Sequence, residues 1–205
     1  MSIGKATSRK PAKPGPRTPR RITPERMANI ALHYLERYAS SAENLRRVLE
    51  RRVYKASLHH PDMDAAAARG WIEDLIARYR SAGLLDDAAY AENRARSLMA
   101  RGLAARSIRM KLLEKGVGSD DIDAALAALT EETADPELHA AVKLARRRRL
   151  GPYTPDADKR AERRDRDLAA LARAGFSYDM ARRVVDADDP QELEDLIAPP
   201  PWGVP

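Results

Sequence analysis

GLLDDAAYAENRARSLMARGLAARSIRMKLLEKGVG, residues 83–118, decides the fold. It reads as a helix, a short turn at Gly102 and a second helix closed by Gly116. The same logic recurs loosely on both sides: a short helix, a turn, an Arg-rich helix with one apolar stripe, then another turn and helix. Such units offer wide helical surfaces and no deep pocket. That combination points to a protein that binds other macromolecules rather than to an enzyme.

Working outward, helix starts are marked by a capping side chain before a proline, which suits the first helical position because it has no N–H to leave free. Thr23-Pro24, Asp135-Pro136, Thr154-Pro155 and Asp189-Pro190 all fit this pattern. Ser40 with Glu43, and Asp189 with Glu192, have the spacing of a capping box. Stops fall at Gly83, Gly102, Gly116 and Gly175. No alternating β-branched run suggests a strand. The predicted class is all-α, with helices near 24–38, 41–57, 62–82, 87–101, 104–115, 120–131, 136–149, 155–173, 178–187 and 190–197.

The first nine helices group into tandem three-helix units, a diverged repeat expected to form an elongated, curved array. Units are drawn at 23–83, 84–133 and 134–197, between a disordered basic arm at 1–22 and a Pro-rich tail at 198–205. Leu45 and Leu49 correspond to Ile108 and Leu112 in the next middle helix. Lys115-Gly116-Val117 corresponds to Ala174-Gly175-Phe176. In the first unit Val53 takes the place of Gly116, and the repeat is weakest there.

The 205 residues include no cysteine, so a disulfide framework and a thiolate metal site are both excluded. Aromatic residues are only 5% of the chain, which predicts a thin, distributed core. No apolar run has the length of a membrane span or a secretory signal, and a cytoplasmic protein is expected. The net charge of +6 belongs to one end: residues 1–21 hold seven basic residues and no acid, leaving the remaining 184 at −1. A flexible cationic arm favours polyanions without reading sequence. It could equally be a solubilising extension.

Candidate binding residues are cations on or beside the middle helices. Arg47, Arg51 and Lys55 form one ridge at four-residue spacing. Arg106, Arg109, Lys111 and Lys115 flank Ile108 and Leu112, with Arg94 and Arg101 on the preceding helix. Arg146, Arg147, Arg148 and Arg149 form a run, and Arg160, Arg163, Arg164 and Arg166 follow. A repeated basic face suits a ligand with a repeating acidic surface, nucleic acid or protein filament. Interleaved acids (Glu50, Glu114, Asp165, Asp167) keep an ordinary solvated surface open as the alternative. The four histidines lack zinc-site spacing, and no phosphate loop or nucleophile constellation occurs. No catalytic residue, metal or cofactor is therefore assigned. Asp86-Asp87 reads as a cap. The scattered aromatics read as core, with base stacking the lesser alternative.

Gly83-Leu84-Leu85-Asp86-Asp87-Ala88-Ala89-Tyr90-Ala91, followed by Arg94, Gly102, Ile108, Leu112, Lys115-Gly116-Val117 and Ile122, resembles the central signature of the RecX regulatory proteins. The likeness extends faintly over 24–187. It departs at Ala89, where the family has a large aromatic, and at an insertion from Gly151 to Arg166. The resemblance implies an array of three-helix units, curved enough to lie in the groove of a RecA–DNA filament; a monomer is the default expectation. It implies a regulator that lowers RecA's ATPase, strand exchange and coprotease activities, and so tunes recombinational repair and the SOS response. It also implies weaker, electrostatic contact with single- and double-stranded DNA. A helical protein that merely coats DNA is the alternative.

Overall fold

Helix starts fall where a side chain can take up N–H groups that the first turn leaves free. Thr23 accepts from the Arg26 amide at 3.2 Å, Asp135 from Leu138 at 2.9 Å and Asp189 from Glu192 at 3.0 Å. Each stands before a proline and opens a helix: α1 (Pro24–Leu35), α7 (Pro136–Arg148) and α10 (Pro190–Ile197). The computed structural model describes residues 19–133, 135–156 and 158–198. Its other helices are α2 (Ala42–Ser57), α3 (Ala65–Ser81), α4 (Asp87–Ala100), α5 (Ala105–Glu114), α6 (Ser119–Glu132), α8 (Arg160–Arg173) and α9 (Tyr178–Val185). The chain is all-α, with no strand among the described residues.

Three starts differ from the sequence reading. The cap of α2 is Ser41, whose hydroxyl accepts from the Asn44 amide, and not Ser40. The third helix begins only after Asp64, which accepts from the Ala66 and Ala67 amides. Thr154-Pro155 caps nothing. Gly151–Tyr153 forms a 3-10 turn, the Thr154 hydroxyl turns back to donate to the Arg149 carbonyl, and α8 waits until Arg160. Of the expected basic arm and Pro-rich tail, residues 1–18 and 199–205 lie outside the described residues. The end of the expected arm is tied to the body: Ile22 is buried and Arg21 pairs with Asp62.

The paired glycines behave alike. Gly116 (φ 73°) and Gly175 (φ 98°) take a left-handed conformation that only glycine adopts cheaply. This lets the Val117 amide reach back to the Leu112 carbonyl and that of Phe176 to Leu171, at 3.2 and 3.3 Å. Val117 and Phe176 fold inward and are buried.

Two apolar cores result. One joins Met27 and Ala31 of α1 to Leu45, Leu49 and Val53 of α2 and Ile72, Leu75 and Ile76 of α3. The other is continuous from Ala91 to Leu193, so the second and third units share it, with Ile108, Leu112, Leu138 and Leu171 at its centre. Each such side chain contributes roughly 1.5–3 kcal/mol by leaving water.

The units meet at two joints built to one plan. At the first, Ala42 N–H donates to Asp87 at 2.8 Å and the Ser41 hydroxyl donates to the Lys115 carbonyl. At the second, Ala105 N–H donates to Glu137 at 2.6 Å and Ala104 N–H donates to the Ala174 carbonyl at 3.2 Å. In both, the N-terminus of a middle helix is capped by an acid from the next unit's first helix and meets the C-terminus of the next middle helix. Gly116 lies against Glu43, and Gly175 against Ser107. Thus α8, α5 and α2 follow one another end to end, C-terminus to N-terminus, with their dipoles in favourable sense.

Candidate functional site

The end-to-end order of the middle helices sets where their cations stand. On α2, Arg51 and Lys55 are exposed and form no ion pair among the described residues. Arg47 does not join them as a free cation. It pairs with Glu43 at 2.9 Å and donates to the Glu114 carbonyl at 2.8 Å, which makes it a tie across the first joint. Arg46 is likewise engaged, by both oxygens of Glu73 at 2.8 Å and by Glu43. That guanidinium holds the Glu73 carboxyl below its ordinary range.

On α5, Arg106 and Lys111 are exposed and unpaired among the described residues, and Arg101 is equally open at the turn before it. Arg109 pairs with Asp123 of α6. Lys115 is half-buried, with Nζ 3.3 Å from Asn44 Oδ1 across the joint. At the end of α7, Arg146 lies 3.4 Å from Glu194, whereas Arg147, Arg148 and Arg149 are exposed. Of the later arginines, Arg164 pairs with Asp186 at 2.7 Å and Arg160 donates to the carbonyls of Val185, Ala187 and Asp188. The predicted set therefore divides. Arg51, Lys55, Arg101, Arg106, Lys111 and Arg147–Arg149 face solvent, while Arg47, Arg109, Lys115 and Arg146 hold elements together.

Arg94 belongs to a feature the sequence reading did not anticipate. A groove of about 680 Å³ runs between α1 and α4 at the first joint, lined by Arg37, Arg94 and Lys115 and by Tyr34, Tyr38 and Tyr90. Asn44 donates to the Tyr34 hydroxyl at 3.0 Å and to Ser40 at 2.8 Å, which fixes its inner wall. Burial pushes the Tyr90 hydroxyl up from its ordinary value, so it stays a neutral donor. The aromatics are accordingly not all core: Tyr79 and Phe176 are buried, but Tyr38, Tyr54 and Tyr178 are exposed.

The acids read as caps sit as caps. Asp86 accepts from the Ala89 amide at 2.9 Å, and Asp87 adds an ion pair with Arg80 at 2.7 Å. No group of three His, Asp or Glu side chains suited to a metal occurs among the described residues. None of the described helices is long and apolar enough to cross a membrane.

The family model for the second three-helix domain of RecX matches residues 86–126, the stretch that holds the first joint's Asp87 and all of α5. The regulatory protein RecX of Myxococcus xanthus is 43% identical over 174 residues, covering 85% of this chain and 91% of its own length. That of Agrobacterium fabrum is 34% identical over 176 residues, covering 84% and 88%. Among solved structures, RecX from Lactobacillus salivarius shares the fold at a TM-score of 0.55 and 23% identity, over 85% of this chain and 97% of that one.

Proposed function

The chain belongs to the RecX family of regulatory proteins, and on that premise we propose that it is a non-catalytic regulator that binds the RecA–DNA filament in the cytoplasm. Bound there as a monomer, it would inhibit the filament's ATPase, strand exchange and coprotease activities and so modulate recombinational repair and the SOS response. The observation that supports this reading best is the end-to-end order of α8, α5 and α2. It sets α5 and α2, each of which bears exposed, unpaired cations, in series, and a long partner with repeating acidic character suits such a run of helices.

Titrating RecA's single-strand-DNA-dependent ATPase with the full chain and with residues 19–205 tests it. The shortened protein starts at Pro19 because Arg21 and Ile22 are part of the packed body. Inhibition by both at amounts below the RecA concentration supports filament regulation. Inhibition that is lost with residues 1–18, or that vanishes when DNA is in excess, supports the second reading. That reading, a protein that coats single- and double-stranded DNA electrostatically, is favoured only by the number of unpaired cations.

A further inference from the structure

Between α1, α2 and the segment leading into α1 lies a cavity of about 490 Å³ that neither the family nor the regulatory reading assigns. Arg20, Arg26, Arg37, Arg52 and Lys55 line it together with His33, and no carboxylate does. None of those five cations forms an ion pair among the described residues. Arg26 Nε is buried and has no hydrogen-bond partner among them. The contrast with the rest of α2 is informative, since that helix pairs Arg46 and Arg47 with Glu43 and Glu73. A buried, unbonded guanidinium nitrogen in a cavity lined by cations is costly, and an anion seated there would offset that cost.

The cavity is a built one. Its outer wall is the segment Pro19–Ile22, held by the Arg21–Asp62 ion pair, by His60 Nε2 at 3.0 Å from the Pro19 carbonyl oxygen, and by burial of Ile22. Its floor is apolar: Ile30, Val48 and Ala56. At its mouth Tyr34 and Tyr38 pack with ring centroids 5.2 Å apart, and Tyr38 remains 57% exposed. Phosphate oxygens suit guanidinium groups, which meet them through two parallel N–H bonds. An aromatic face beside such a cluster suits a base. The volume lies within the range of small-molecule sites, roughly 300–1,000 Å³.

We infer that this cavity binds a nucleotide, its phosphates on Arg26 and Arg52 and its base against Tyr38. A free nucleoside triphosphate and one unit of a single strand share that chemistry. An acidic peptide would use the cations and leave the ring idle.

The test measures binding of methylanthraniloyl-ATP and of a fluorescein-labelled oligothymidylate to the full chain, with no recombinase present, so its outcome is independent of the regulatory reading. Saturable binding is expected, weakened by at least about tenfold when Arg26→Gln and Arg52→Gln are combined, since charge-assisted phosphate bonds are lost. Arg52→Gln alone, at an exposed position, guards against a folding defect and should weaken binding by about three- to fivefold. Tyr38→Ala should weaken both probes yet leave competition by inorganic tripolyphosphate unchanged. The pair Arg69→Gln and Lys143→Gln, at exposed positions on α3 and α7, should have little effect. Whichever probe binds more tightly per nucleotide identifies the source. The inference is overturned if neither probe saturates below about 1 mM, if the Arg26/Arg52 variant binds normally, or if hexaglutamate competes as well as ATP.

Discussion

The first backbone N–H of α2, on Ala42, donates to Asp87 across the joint between the first two units, at 2.8 Å. Because the two apolar cores are separate clusters, such polar contacts help to fix one unit against the next. Asp87→Ala removes that acceptor and the partner of Arg80, and should cost about 1–2 kcal/mol. Asp87→Asn keeps an acceptor and should cost less. Urea unfolding measures both. Amide exchange should quicken at Ala42 while α8 and α9 keep their protection; uniform loss of protection would contradict a local role.

Charge reversal should separate binding cations from structural ones. Arg106→Glu with Lys111→Glu changes only exposed, unpaired side chains and should leave the melting temperature within about 2 °C, because surface changes lie within about 0.5 kcal/mol. Inhibition of RecA should fall. Arg47→Glu breaks the tie to Glu43 and the Glu114 carbonyl, so it should lower stability by about 1–2 kcal/mol. Unchanged inhibition by the folded α5 variant would remove that helix from the interface.

How far the sequence revealed these parts follows from the range of each interaction. Caps are local, so Thr23, Asp135 and Asp189 were readable from two or three neighbours. Thr154 carried the same signal and failed because its hydroxyl is captured by the Arg149 carbonyl. The joints were hidden. Ala42 and Asp87 are 45 positions apart, and the second joint substitutes Glu137 for Asp87 and a backbone amide for the Ser41 hydroxyl. The cation cavity was hidden too: Arg26 and Arg37 stand eleven positions apart along α1 and its end, but only the packing of α1 beside α2 brings them near Arg52.

Glu137 supplies a pH test. Burial raises its carboxyl above the ordinary value near 4.5, although the Ala105 N–H opposes the shift. A raised folded value means that the folded state holds the proton more tightly. Its contribution is therefore full below the unfolded value and is lost as pH rises through the folded one. Glu137→Gln keeps an acceptor for Ala105 without the charge, so it should flatten the stability profile just above pH 4.5 and match or exceed the parent at pH 7. Chemical denaturation across that range reads the difference, and a steeper profile would contradict the assignment.

Two glycines with similar backbone angles should tolerate alanine very differently. Gly83 (φ 70°) has open space where a Cβ would stand, so alanine costs only the left-handed conformation, roughly 1–2 kcal/mol. At Gly102 (φ 78°) the same atom would lie 2.8 Å from Leu144 Cβ and 2.9 Å from the Ala140 carbonyl oxygen. Overpacking against α7 should add about 1–3 kcal/mol. Equal melting temperatures for the two variants would mean that α7 can move away from the turn.

Arg149 joins stability to binding. It ends α7 in the left-handed region at φ 56°, the sole described non-glycine residue with a positive φ, and its side chain is exposed. For a side chain with a Cβ that conformation costs roughly 1–2 kcal/mol, which glycine avoids, though glycine's more flexible unfolded chain returns part of the gain. Arg149→Gly should therefore stabilise the protein by up to about 1 kcal/mol while removing one cation of the Arg146–Arg149 run. If that run contacts DNA phosphates, the same variant should lower the slope of log affinity against log salt by about one. A stabilised protein with an unchanged salt slope would leave Arg149 as a strained helix end with no part in binding.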